Sequence, residues 1–188
     1  MGFIDLFRSQ PKAPLNPKVL VCSLGPTFEA LIQEDEGAYR RFSSDMTIKS
    51  FADANDLLSE VSAGYDIVHI YTNVAADGCI GASGVTGTEL IERAASAGTK
   101  LLWIANGNDP AGYIKNFKPN RNRLNLVMTI DRLGNKFPDF LRELFGEMMA
   151  GTSMPVAWSR IAPQIPGQDH LEAPATIFVN GLGQTRFI

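Results

Sequence analysis

The sequence predicts an α/β protein: a three-layer α/β/α sandwich around a six-stranded, mostly parallel sheet. Three observations predict it. Short apolar runs rich in branched and aromatic residues recur at 18–24, 46–51, 64–73, 100–105, 124–131 and 175–181. Between the early runs lie segments with helical spacing and cap residues, so each strand after the first follows a helix and should run parallel to its neighbour. Two consecutive helical segments precede the last run. They return the chain to the end of the sheet it left, so the last strand should run antiparallel.

The elements follow in order. Residues 1–17 stand apart as a leader, with an apolar patch at Phe3, Ile4, Leu6 and Phe7, after which Pro11, Pro14 and Pro17 hold the chain extended. That patch belongs to a disordered leader or a first turn folded back on the domain, or else is a short amphipathic anchor that inserts into a partner. The α/β domain then spans 18–188. Gly25-Pro26 breaks the first strand, and Thr27 is the expected N-cap of a helix carrying Phe28, Leu31, Ile32, Tyr39 and Phe42. Asp53 should cap a second helix, ending toward Gly64, and Thr86-Gly87-Thr88-Glu89 has capping-box spacing for a third. The fourth strand ends at Asn106-Gly107-Asn108-Asp109-Pro110, followed by a short helix over 111–117 and a loop bearing Lys115, Lys118, Arg121 and Arg123. Phe137, Phe140, Leu141, Leu144, Phe145, Met148 and Met149 fall on one face of a long helix that Gly151 should stop. Ser153 and Pro155 restart a shorter helix, stopped by Pro163.

Composition narrows the function classes. With 188 residues, 45% hydrophobic and 20% charged, the chain suits one domain with a sizeable core. A net charge of -3 and a pI near 5.4 give no pull toward nucleic acid or acidic lipid. Two cysteines, Cys22 and Cys79, support neither a disulfide framework nor a zinc cluster and fit a reducing cytoplasm. No apolar run reaches the roughly 20 residues that span a bilayer. Asp5 and Arg8 interrupt the apolar N-terminal stretch, so no secretory signal is expected. The expectation is a cytoplasmic protein with protein partners, without membrane or nucleic-acid partners.

The order of elements and several local sequences resemble the CHAT domains of the caspase-like cysteine proteases. A "YDIVHIAAHG" strand of that family is matched by Tyr65-Asp66-Ile67-Val68-His69-Ile70. Ile104-Ala105-Asn106 stands at the family's "SAC" strand end. Phe145, Met148, Gly151, Ser153 and Ala157 follow its paired helices, and Pro174, Phe178 and Gly181 its closing strand. The resemblance runs over about 18–183 and implies a sheet order of 2-1-3-4-5-6. The departures carry more than the matches. The family's catalytic His follows the third strand, where this chain has Asn73. Its nucleophilic Cys follows the fourth, where this chain has Asn106. Asn supplies neither a thiolate nor a base.

The expectation is therefore a non-catalytic, caspase-fold protein. It would be a regulatory or structural binding subunit of a prokaryotic assembly, in defence or signalling, and that setting comes from the resemblance alone. Its former cleft, at Tyr71, Thr72, Asn73, Asn106, Gly107 and Asn108, would hold a peptide or small ligand through amide hydrogen bonds. No cofactor and no metal are expected. The alternative is a doubly wound, flavodoxin-like enzyme or ligand-binding module with its site at the same strand ends. There the Gly-rich segment Gly78, Gly81, Gly84 and Gly87 would hold an anion, although it is more simply a mobile connection. His69 reads as a structural histidine satisfied within the sheet, Cys79 as a loop thiol or a relocated nucleophile, and His170 as a surface residue. Self-association through a sheet edge or through the aromatic helix is a third possibility.

Overall fold

The computed structural model describes residues 12–13, 16–105, 124–131, 137–161, 175–179 and 186–187. Strands β1 (Val19–Leu24), β2 (Met46–Phe51), β3 (Ile67–Tyr71), β4 (Leu101–Ala105) and β5 (Asn125–Asp131) form a parallel sheet in the order 2-1-3-4-5. Along the outer side of β5, Ala175–Val179 (β6) pairs antiparallel, with Leu126 opposite Val179 and Met128 opposite Ile177. The helices are α1 (Glu29–Tyr39), α2 (Ala54–Val61), α3 (Gly87–Ser96), α4 (Phe137–Met149) and α5 (Met154–Ile161). Lys12–Ala13 pairs parallel with Arg186–Phe187.

Every residue of β1, β3 and β4 is buried. Such strands are covered on both faces, which is why they read as unbroken apolar runs rather than as alternation. On one face Leu20, Val68, Ile70, Leu102 and Ile104 meet Leu57, Leu58 and Val61 of α2 and Leu90, Ile91 and Ala94 of α3. On the other, Val19, Val21, Ile67, Tyr71, Leu101 and Trp103 meet α1, α4 and α5.

Local chemistry sets the helix ends. Asp53 accepts from the backbone N–H groups of Asn55 (2.7 Å) and Asp56 (3.3 Å), capping α2 as its sequence predicts. The N-terminus of α3 carries the full capping box of Thr86 and Glu89. Beyond α4, Gly151 has φ 92°; its N–H donates to Met148 O (3.0 Å) and that of Thr152 to Glu147 O (3.0 Å), closing the helix with a left-handed turn. The start of α1 differs from expectation. Pro26–Phe28 forms a 3-10 turn, and Thr27 makes no cap, because the helix proper begins only at Glu29.

The third strand is also shorter than the apolar run suggests. Asp66 lies just before it and acts as a clamp, Oδ2 accepting from Lys18 N (3.0 Å) and Oδ1 from Lys100 Nζ (2.5 Å). This ties the amino ends of β1, β3 and β4 together and leaves the carboxyl ends as the face where connecting segments emerge. The aromatic helix α4 buries Phe137, Phe140, Leu141, Leu144, Phe145 and Met148, so the face considered for self-association is spent on the core. The expected helix at 111–117 and the basic loop after it lie outside the described residues.

Candidate functional site

Alternation along β3 sends His69 and Tyr71 to the α1–α4 face and Thr72, just beyond the strand, to the other. Opposite them, α1 buries Ile32, Asp35, Ala38 and Tyr39, the i, i+3, i+6, i+7 positions of one helical stripe. An acid on that stripe must find donors, because a bare buried carboxylate is costly. The Tyr71 hydroxyl donates to Asp35 Oδ2. The Tyr39 hydroxyl lies 2.8 Å from His69 Nδ1, and Asp35 Oδ2 lies 4.0 Å from the same nitrogen. Asp35, Tyr39, His69 and Tyr71 all have no solvent exposure.

Rings enclose this polar thread. His69 stacks on Trp103 at 5.2 Å between centroids and lies 4.8 Å from Tyr71, while Phe137 meets it edge-on at 6.3 Å. Trp103 Nε1 donates to Thr129 Oγ1 at 2.7 Å. Burial, and then the nearby Asp35 charge, push the Tyr39 phenol well above its ordinary pKa, so it keeps its proton. The cluster is closed to substrate and joins α1 to the sheet by hydrogen bonds in an otherwise apolar layer. The hydroxyl that meets His69 Nδ1 belongs to Tyr39 on α1, while the Trp103 ring of the neighbouring strand stacks on the imidazole.

At the carboxyl end of β3, Tyr71 and Thr72 are enclosed, and Thr72 N donates to Ala105 O, the last residue of β4, at 3.1 Å. Of the three described cleft residues, only Asn73 is exposed. Its carbonyl accepts from Gly81 N at 2.8 Å. That bond begins a compact fold of the next segment. Val74 bridges Ile80, Cys79 bridges Thr86, and Val74, Ile80 and Val85 are buried as plugs.

The Gly-rich segment is therefore fastened to the sheet end rather than a mobile connection. Gly78 (φ 87°) and Gly81 (φ 59°) supply turns that L side chains rarely adopt. At Gly81 an added Cβ would sit 2.9 Å from Leu24 Cδ2. Gly81 serves close approach. Nor is the start of α3 open to an anion: Glu89 Oε2 accepts from Thr86 N (2.9 Å), Thr86 Oγ1 accepts from Glu89 N (3.2 Å), and Gly87 N donates to Gly78 O (2.8 Å). A carboxylate of the chain already fills the place a phosphate would take.

Cys79 sits half-buried in this segment. Desolvation and then the neighbouring Asp77 raise its thiol pKa, the reverse of what a nucleophile needs. Cys22 is buried in β1, its thiol pushed up by burial. Among the described residues, no three His, Cys, Asp or Glu side chains converge as metal ligands, and no helix is long and apolar enough to cross a membrane. Asn106, Gly107, Asn108, His170 and the leader residues Phe3, Ile4, Leu6 and Phe7 lie outside the described residues.

Sequence reasoning missed Asp35 and the polar role of Tyr39. The signal was present, since an acid three residues after Ile32 and four before Tyr39 interrupts an apolar stripe. No family model matches the chain, and no curated protein matches it.

Proposed function

We propose that this chain is a non-catalytic protein of caspase-like, CHAT-like fold that acts through binding, as a regulatory or structural subunit of a prokaryotic assembly. Defence or signalling is the setting the resemblance suggests. The observation that carries the reading is Asn73. It stands exposed past the carboxyl end of β3, where the resemblance places a catalytic histidine, and its carbonyl is engaged by Gly81. The chemistry nearby supports the same reading, because His69 is enclosed by rings and the Cys79 thiol is held protonated. The caspase-like assignment draws on the sheet order 2-1-3-4-5 extended by antiparallel β6, the order the resemblance implies. A cytoplasmic setting belongs to the proposal and is supported by two thiols. The flavodoxin-like alternative asks for an anion at the start of α3, where Glu89 already lies.

Incubation of the purified chain with a fluorogenic peptide library tests the reading, and no turnover is expected. Turnover that disappears in Cys79→Ala would overturn it. Replacing Asn73→His and Asn106→Cys together tests the alignment: new, thiol-dependent peptide cleavage would support the caspase-like fold directly.

A further inference from the structure

β2 ends the sheet, and among the described residues no strand pairs with its outer side. The backbone fixes which groups face outward. Asp45 O accepts from Val19 N and Phe51 O from Gly25 N, each at 2.8 Å, so the odd-numbered residues turn their backbone groups toward β1. By alternation Met46, Ile48 and Ser50 present their N–H and C=O groups away from the sheet.

We propose that this edge pairs with β2 of a second copy of the chain, antiparallel and centred on Ile48. A two-fold axis through the sheet keeps each face continuous only if residues of equal parity lie opposite each other. Centring on Ile48 sets Ile48 opposite Ile48 and Met46 opposite Ser50, so all three outward residues exchange hydrogen bonds. Centring on Thr47 or on Lys49 leaves one outward residue unused, and the Lys49 centre also opposes two lysines, which is unfavourable.

The side chains agree with the Ile48 register. Met46 and Ile48 are partly buried apolar residues at the rim of the α1–α4 core, and a second copy extends that rim. On the other face Lys49 falls opposite Thr47 of the second copy. Thr47 lies near Glu60, because Tyr65 OH donates to Glu60 Oε1 (2.6 Å) and lies 3.3 Å from Thr47 Oγ1. Each Lys49 therefore meets an acid across the dyad as well as its own Glu60. Within its own copy Lys49 is drawn along α2, by Glu60 at 2.8 Å, and lies 4.9 Å above the Phe51 ring.

The test uses the full chain. Light scattering at high micromolar concentration should give twice the 20.5 kDa chain mass. In a Cys79→Ser background, Ile48→Cys should form an intermolecular disulfide on mild oxidation, because opposed Cα atoms about 5.5 Å apart lie within bridging range. Ser50→Cys should not, as Met46 would face it. Ile48→Pro removes one outward donor and should return the mass to a single chain while circular dichroism shows a folded protein. A monomeric wild type, a dimer that survives Ile48→Pro, or equal cross-linking of the two cysteine variants would each overturn the proposal.

Discussion

The Tyr71 hydroxyl donates to the Asp35 carboxylate in a layer where neither side chain meets solvent. Removing the hydroxyl by Tyr71→Phe takes a donor from a buried acid, a loss worth about 1–3 kcal/mol. In a chain of this length each kcal/mol moves the melting temperature by roughly 2–4 °C. Tyr71→Phe should therefore melt several degrees lower than wild type. Asp35→Leu with Tyr71→Phe should cost less than the sum of the two single changes, because both ends of the polar contact are then gone. Additive losses in a thermal-melt cycle would show that the two groups do not act as a unit.

That contact also marks the limit of what could be read from residues alone. The strands of the sheet, Asp53 as a cap and the Thr86–Glu89 box were legible because each rests on a local pattern: an apolar run, or an oxygen placed two or three residues before an orphan N–H. The Asp35–Tyr71 and Tyr39–His69 contacts span 36 and 30 residues of sequence, and no local pattern encodes which helix position meets which strand position. Thr27 misled for the opposite reason. A local cap signal was present, but the chain spends Pro26–Phe28 on a 3-10 turn before the helix begins. At the candidate site, the residue type at position 73 was legible. The fastening of the following segment was not, because glycine spacing looks alike whether it serves freedom or close approach.

Gly81 and Gly84 separate those two uses of glycine. Gly81 combines φ 59° with a Cβ position 2.9 Å from Leu24 Cδ2, whereas nothing lies within 4 Å of a Cβ at Gly84. Gly81→Ala should destabilise by about 1–3 kcal/mol, from left-handed strain and overpacking together. Gly84→Ala should be neutral or stabilise by up to about 1 kcal/mol, through the unfolded chain. Urea unfolding of the two variants measures the contrast. Equal midpoints would mean that the segment yields at Gly81.

Acid should weaken the fold partly through Glu60. Its pKa is lowered, first by the Lys49 hydrogen bond and then by that of Tyr65. A carboxyl whose folded pKa lies below its unfolded value stabilises the protein fully above the unfolded value, and that contribution is lost as pH falls through the folded one. Melting temperature should therefore drop as pH falls from about 6 to about 3. Glu60→Gln should lower the plateau near neutral pH and flatten the acid slope. An unchanged slope in that variant would assign the acid sensitivity to other carboxylates, such as Glu89, which Thr86 also holds below its ordinary range.

Cys79 offers a chemical reading of the same loop. Its backbone N–H donates to Asp77 Oδ1 at 2.9 Å, and the Asp77 carboxylate, after desolvation, raises the thiol pKa. At neutral pH the thiolate fraction should lie below that of an ordinary cysteine, so alkylation by iodoacetamide should run slower than for a free cysteine peptide. Asp77→Asn removes the negative charge and should speed alkylation, with the midpoint of the rate–pH profile moving to lower pH. Cys79→Ala abolishes labelling under native conditions, because Cys22 is buried in β1. If Cys79 instead labels faster than the free peptide, the thiol is activated, and a non-catalytic reading of this sheet end would have to give way.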